Sequence, residues 1–252
     1  MKLLLSPRGL AAVLLFVIAG CAERIDSFEE YLELAWRHER AGDQQQAIVA
    51  YQQALQHEPM RPIAWYDLGV LYEATGQPEL AVNAWTQAIT HDPDYTQAYV
   101  NRGTLLAQQG KHELALADFS RAIELAPTEF APRRNRADLH RELNQNTEAL
   151  ADYTEALRLN PRDAETWSEY GTLCRTLDDW VSACWAFKRT TEFDAASEAG
   201  WQNLAEAFER LGRTTEANSA RQQANELAAN ANTTSPPPAS VLAAGNSRSP
   251  AP

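Results

Sequence analysis

The chain has 252 residues, 44% of them hydrophobic, enough to bury the core of one or two domains or of a mid-sized repeat array. Its formal net charge of −12 argues against nucleic acid, whose phosphates demand clustered Lys and Arg, and against lying flat on an anionic membrane. Three cysteines, Cys21, Cys174 and Cys184, are too few for a disulfide framework, and none forms a CxxC pair for zinc or redox chemistry.

Residues 1–20 have the pattern of a secretory signal. Lys2 and Arg8 are the only charges, Leu10 to Ile18 is an apolar run, and the small residues Ala19 and Gly20 precede Cys21. The run is short for a membrane span and lacks a basic stop-transfer flank. The quartet Ile18-Ala19-Gly20-Cys21 resembles the lipobox of bacterial lipoproteins. That resemblance implies cleavage before Cys21, acylation of this cysteine, and anchoring in a bacterial cell envelope. Ala22 is not the aspartate associated with inner-membrane retention, so the expected site is the outer membrane, facing the periplasm. The alternative is an ordinary signal peptide, with Cys21 an incidental thiol.

A short tether, 21–27, leads into a capping-box pattern, Ser27-Phe28-Glu29-Glu30, which predicts a helix start. From there one pattern recurs every 34 residues. A small residue stands at Ala35, Gly69, Gly103, Ala137, Gly171 and Ala205, and an alanine at Ala47, Ala81, Ala115, Ala149, Ala183 and Ala217. Four positions beyond that alanine comes a large ring at Tyr51, Trp85, Phe119, Tyr153 and Phe187, then Arg221 in the last copy. Prolines close the first four copies at Pro59, Pro93, Pro127 and Pro161. Trp65, Leu68, Gly69, Tyr72, Ala81, Trp85 and Pro93 match W-x2-L-G-x2-Y, A-x3-F and P, so the array resembles the tetratricopeptide repeat (TPR) family.

The resemblance implies an all-α TPR solenoid of six helix-turn-helix units, 28–61, 62–95, 96–129, 130–163, 164–197 and 198–231, wound as a right-handed superhelix. First helices would line its concave side. Small residues at the eighth and twentieth places of each unit would let the paired helices approach. The ring at the twenty-fourth place would fill the seam to the next unit, and the proline would end the second helix. Arg133 replaces the aromatic at the fourth place of unit 4, which predicts looser packing or a leaning arginine stem. Asn218, Arg221 and Asn225 give unit 6 a polar capping face, and residues 232–252, rich in Pro, Ser, Ala and Asn, are expected to be a disordered tail.

No HExxH, GxSxG or glycine-rich phosphate loop is present, so no enzyme, cofactor or metal site is expected. His57 and His91 stand 34 apart near helix ends, a place that suits the helix dipole more than a metal. Cys174 and Cys184 fall on the two helices of one pair. They are either a disulfide or two small buried apolar residues, the latter favoured because their helix levels differ.

A protein or peptide partner held in the groove is what the resemblance implies. The sixth place reads Glu33, Asp67, Asn101, Asn135, Glu169 and Asn203, an unbroken polar ladder. In similar grooves asparagines at this place bind a peptide backbone; the alternative is a solvated helix face. Leu32, Trp36, Ile63, Tyr66 and Val70 make the first two units the aromatic end. Trp36 is an anchor or is buried against a neighbour. Arg134, with Arg133, Arg136 and Arg141 nearby and Arg175 and Arg210 further on, forms a basic spot that suits a carboxylate. The lysines of the chaperone-type carboxylate clamp are missing. The expected role is a membrane-anchored periplasmic scaffold in envelope or cell-wall machinery. The alternative is a pilotin-like assembly factor for a type IV pilus secretin, and an enzyme or small-ligand receptor ranks behind both.

Overall fold

The computed structural model describes residues 27–234. The leader, Cys21, the tether up to Ser27 and the tail beyond Thr234 lie outside the described residues. Among the described residues there are twelve helices and no strand. The chain divides after Leu125 into two units of three hairpins each.

The N-terminal unit contains α1 (Phe28–Ala41), α2 (Gln44–His57), α3 (Pro62–Ala74), α4 (Pro78–His91), α5 (Thr96–Gln108) and α6 (His112–Leu125). α1 starts where the capping box predicts: the Ser27 hydroxyl accepts from the Glu30 amide, and the Glu30 carboxylate accepts from the Ser27 amide, both at 3.2 Å. Successive helices pack on one another through to α6. Tyr51, Trp85 and Phe119 are among the most buried side chains of this unit.

The C-terminal unit contains α7 (Ala131–Glu142), α8 (Asn146–Leu159), α9 (Ala164–Thr176), α10 (Trp180–Phe193), α11 (Glu198–Arg210) and α12 (Thr214–Thr234). Tyr153 and Phe187 occupy the corresponding buried places. Burying an aromatic of this size contributes about 1.5–3 kcal/mol.

The rings at the twenty-fourth place also sit on the small residue of their own hairpin, while Tyr51 reaches Asp67 of the next hairpin at 3.2 Å. A Cβ added at Gly69 would lie 2.4 Å from Trp85 Nε1, one at Gly103 2.9 Å from Phe119, and one at Gly171 2.7 Å from Phe187. Glycine is required there because the ring occupies the space of a side chain.

Every hairpin turns on a left-handed residue at the fifteenth place. Four are glycines, Gly42, Gly76, Gly110 and Gly212; the others are Asn144 and Asp178 at φ 57° and 58°. Asn and Asp tolerate this region better than other side chains because their short polar groups bond locally.

The fourth place shows how Arg133 stands in for an aromatic. The indole N–H groups of Trp65, Trp167 and Trp201 donate to the carbonyls of Pro59, Pro161 and Ala195 at 2.7, 2.9 and 3.0 Å. Arg133 Nη1 donates to the equivalent carbonyl of Pro127 at 2.8 Å. The bond survives the loss of the ring, and in the Ala195 case the loss of the proline.

The end of the array departs from the expected boundary. α12 buries Ala217, Ala220 and Ala224 and leaves Asn218, Arg221 and Asn225 exposed, a polar outer face as a terminal repeat needs. It runs to Thr234, three residues into the segment expected to be disordered. Ala229 replaces the closing proline, so nothing stops the helix until the chain nears Pro236.

Candidate interaction face

The first helices of the N-terminal unit, α1, α3 and α5, carry the sixth-place ladder. Asp67 is half-buried and accepts from Trp36 Nε1 at 3.4 Å and from the Tyr51 hydroxyl at 3.2 Å. Burial first of all, then the charge of Glu39, hold its carboxyl above the usual range, while these two donors pull the other way. Asn101 donates to the Tyr66 hydroxyl at 3.2 Å, and the Tyr66 ring leans on Tyr95 with centroids 5.1 Å apart. Glu33 is exposed and pairs with Arg37 one turn on.

Trp36 is 40% exposed, its N–H end resting on Asp67 of the next hairpin. It is neither free nor buried. Ile63 is exposed, and Val70 and Tyr66 are half-buried. Leu32 is a correction: at 7% exposure it belongs to the core with Phe28 and Ala35, one helical face inward of the expected groove.

In the C-terminal unit the ladder is engaged from within. Arg141 pairs with Glu169 at 3.0 Å, and Arg175 Nη1 reaches Asn203 Oδ1 and Glu206 Oε2, each at 3.1 Å. Asn135 is half-buried. Arg134 pairs with Glu165 and lies 3.9 Å from Asp163, while its Nε is buried without a hydrogen-bond partner. Arg136 forms a two-bond pair with Asp152, both at 2.7 Å. Arg210 stacks over Trp180 at 4.7 Å. The basic spot is thus not the open carboxylate seat expected from the sequence: its guanidiniums are matched by the chain's own carboxylates, carbonyls and rings.

The remaining candidates also have places. Cys174 and Cys184 are free and buried, so the disulfide does not form. Burial pushes the Cys174 thiol up to about 11, with Tyr170 as its hydrogen-bond neighbour. His57 stacks on Tyr31 with centroids 5.4 Å apart.

Two features lie outside what the repeat pattern predicts. Arg102 and Arg136, at the seventh place of units 3 and 4, bind Asp118 and Asp152 at the twenty-third, clamping each hairpin with a largely buried ion pair. A cavity of about 250 Å³ between α8, α9 and α10 is lined by Leu157, Trp167, Tyr170 and Trp185, with Trp185 half exposed. The signal for it was legible: Trp185 stands where other units carry Val49, Asn83, Ala117, Ala151 and Ser219. Among the described residues no helix is long and apolar enough to cross a membrane.

Two units of three helical hairpins, five of the six hairpins carrying a buried ring at the same place, define a helical-repeat protein. A family model of the tetratricopeptide repeat matches residues 32–85, 72–130 and 134–198. The chain belongs to the tetratricopeptide repeat family, a family of protein-interaction scaffolds. Among solved structures it is similar to PilF of Pseudomonas aeruginosa (20% identity, TM-score 0.68, covering 79% of this chain and 91% of that one). It is also similar to PilW, described as a widely conserved type IV pilus biogenesis factor (19%, 0.67, 79% and 92%). A third is YrrB, described as a TPR protein with an unusual peptide-binding site (18%, 0.59, 73% and 98%). These likenesses show the fold. No curated protein matches the chain.

Proposed function

We propose that the protein is a periplasmic scaffold, tethered to a bacterial envelope membrane by acylated Cys21, that holds a partner peptide or protein against its first helices. One observation carries the reading: the first-helix face of the N-terminal unit presents exposed Trp36 and Ile63 and half-buried Tyr66 beside a polar ladder. Aromatic side chains beside fixed hydrogen-bonding groups are common in binding hot spots. The lipobox supports the tether, since a multiply acylated cysteine holds a protein on a bilayer where one chain would not. The segment from Ala22 to Ser27 spans at most about 20 Å when extended, which would keep the first hairpin near the lipid.

Photo-cross-linking from position 63 in intact cells should capture a discrete envelope protein, with capture lost in Trp36→Ala, Tyr66→Ala. Capture unchanged by that double substitution would place the partner elsewhere. Cys21→Ser should abolish palmitate labelling and release the protein from membranes; labelling that persists removes the tether from the proposal.

A second reading, an assembly factor for a type IV pilus secretin, draws support from the likeness to PilF and PilW over more than nine-tenths of their length. Loss of secretin multimers on deletion of the gene favours it, and unaltered multimers favour the general scaffold.

A further inference from the structure

The internal repeats allow one copy to be compared with another at the same register. In unit 4 the twelfth place is Arg141, and its guanidinium pairs with Glu169 at the sixth place of the next unit. In unit 5 the twelfth place is Arg175, and it reaches Asn203 at the same sixth place. In unit 1 the twelfth place is Glu39, and the sixth place of the next unit is Asp67. A cation of the later copies is here replaced by an anion facing an anion.

What lies between those two carboxylates is one phenol. The Tyr51 hydroxyl is 2.8 Å from Glu39 Oε2 and 3.2 Å from Asp67 Oδ2. A phenol has a single proton and can donate to one of them at a time. No ion pair is formed by Glu39, Asp67 or Glu73 among the described residues, whereas Glu33 has Arg37 and Glu58 has Arg61. The nearby Arg40 spends its Nε on the Trp36 carbonyl. The indole of Trp36 donates its N–H to Asp67 at 3.4 Å and is 40% exposed, and a cation is attracted to the face of such a ring by its quadrupole.

We infer that the seat framed by Glu39, Asp67 and Trp36 receives a lysine or arginine side chain from the partner, the charge that Arg141 supplies internally three hairpin boundaries later. The partner's bound segment is therefore basic. This rests on the proposed use of the first-helix face and adds the chemistry of what binds there. A compact ammonium or a planar guanidinium would take the Coulomb attraction of both carboxylates and the ring face together. The same carboxylates would repel an acidic segment.

The test uses the mature chain with Cys21 replaced by Ser, and a blocked ten-residue Gly/Ala peptide carrying two lysines in an extended spacing. Its partner probes are the same peptide with norleucine, or glutamate, at both positions. Titration at low salt should show the lysine peptide binding at least tenfold more tightly than the norleucine peptide, with the glutamate peptide not binding, and the difference shrinking at higher salt. Glu39→Arg is the decisive variant. It recreates the pairing of unit 4, so it should keep or raise the melting temperature while weakening the lysine peptide at least tenfold. Equal binding of lysine and norleucine peptides overturns the inference, and so does a folded Glu39→Arg protein that binds the lysine peptide as before. Concentration-dependent self-association that Glu39→Arg abolishes would instead assign the seat to a second copy of this chain and would also overturn it. Cross-linking from position 63 that survives Glu39→Arg leaves the scaffold reading standing while the basic-segment inference fails; no cross-linking from any first-helix position removes the scaffold reading itself.

Discussion

Gly69 and Trp85 illustrate how a repeat pattern becomes geometry. The 34-residue spacing marks both positions as restricted, and the close approach of α3 to α4 says why. Gly69→Ala would put its Cβ 2.4 Å from the Trp85 indole, whose N–H is also engaged by the Tyr66 carbonyl at 3.2 Å. The ring is fully buried and has nowhere to move. The substitution should lower unfolding free energy by about 1–3 kcal/mol, read as a shift in denaturant midpoint at unchanged slope. At the same scale, Leu32 shows the limit of position counting. Position counting places it in the groove, yet it turns inward, because the face of a helix that becomes core is set by which neighbour lies against it.

The hairpin is the scale at which charge is decided. Arg102 donates to Asp118 through two bonds of 2.8 and 2.7 Å, and reaches Thr86 at 3.0 Å. Side-chain exposure is 18% for the arginine and 8% for the aspartate. Removing one partner leaves the other charge half-desolvated. Asp118→Ala should therefore cost about 3–5 kcal/mol, while replacing both residues with apolar ones should cost much less. Thermal melts of the two variants check this, and a double replacement as harmful as the single one would contradict it. The repeat alignment shows that Arg102 and Arg136 share a place, and that Asp118 and Asp152 do. It does not show that the two places touch, since that depends on the offset between the helices of a hairpin. The same applies to the basic spot around Arg134. Its composition was visible in the sequence; its neutralisation by Glu165, Asp152 and Glu169 was not.

At the scale of the whole molecule, stability should fall at alkaline pH through the buried thiol of Cys174. Burial holds this thiol up to about 11, whereas in the unfolded chain it ionises at an ordinary value of about 8.5. Below the unfolded value both states keep the proton, and the contribution is complete. Between the two values the unfolded chain has lost its proton while the folded chain keeps it, so each rise in pH favours unfolding. Above the folded value the contribution is gone. The loss attributable to this group is on the order of 2–3 kcal/mol. Denaturation at pH 7 and pH 10.5 measures it, and Cys174→Ala should flatten the decline. The number of hairpins, their phase and the capping box at Ser27 follow from the amino-acid sequence alone. They rest on local steric rules and a periodicity repeated six times. Which ring seals which hairpin, how far α12 runs, that the two cysteines stay apart, and which charges are already matched were decided only by the tertiary structure. These depend on distances between helices, and no count of residues along the chain contains them.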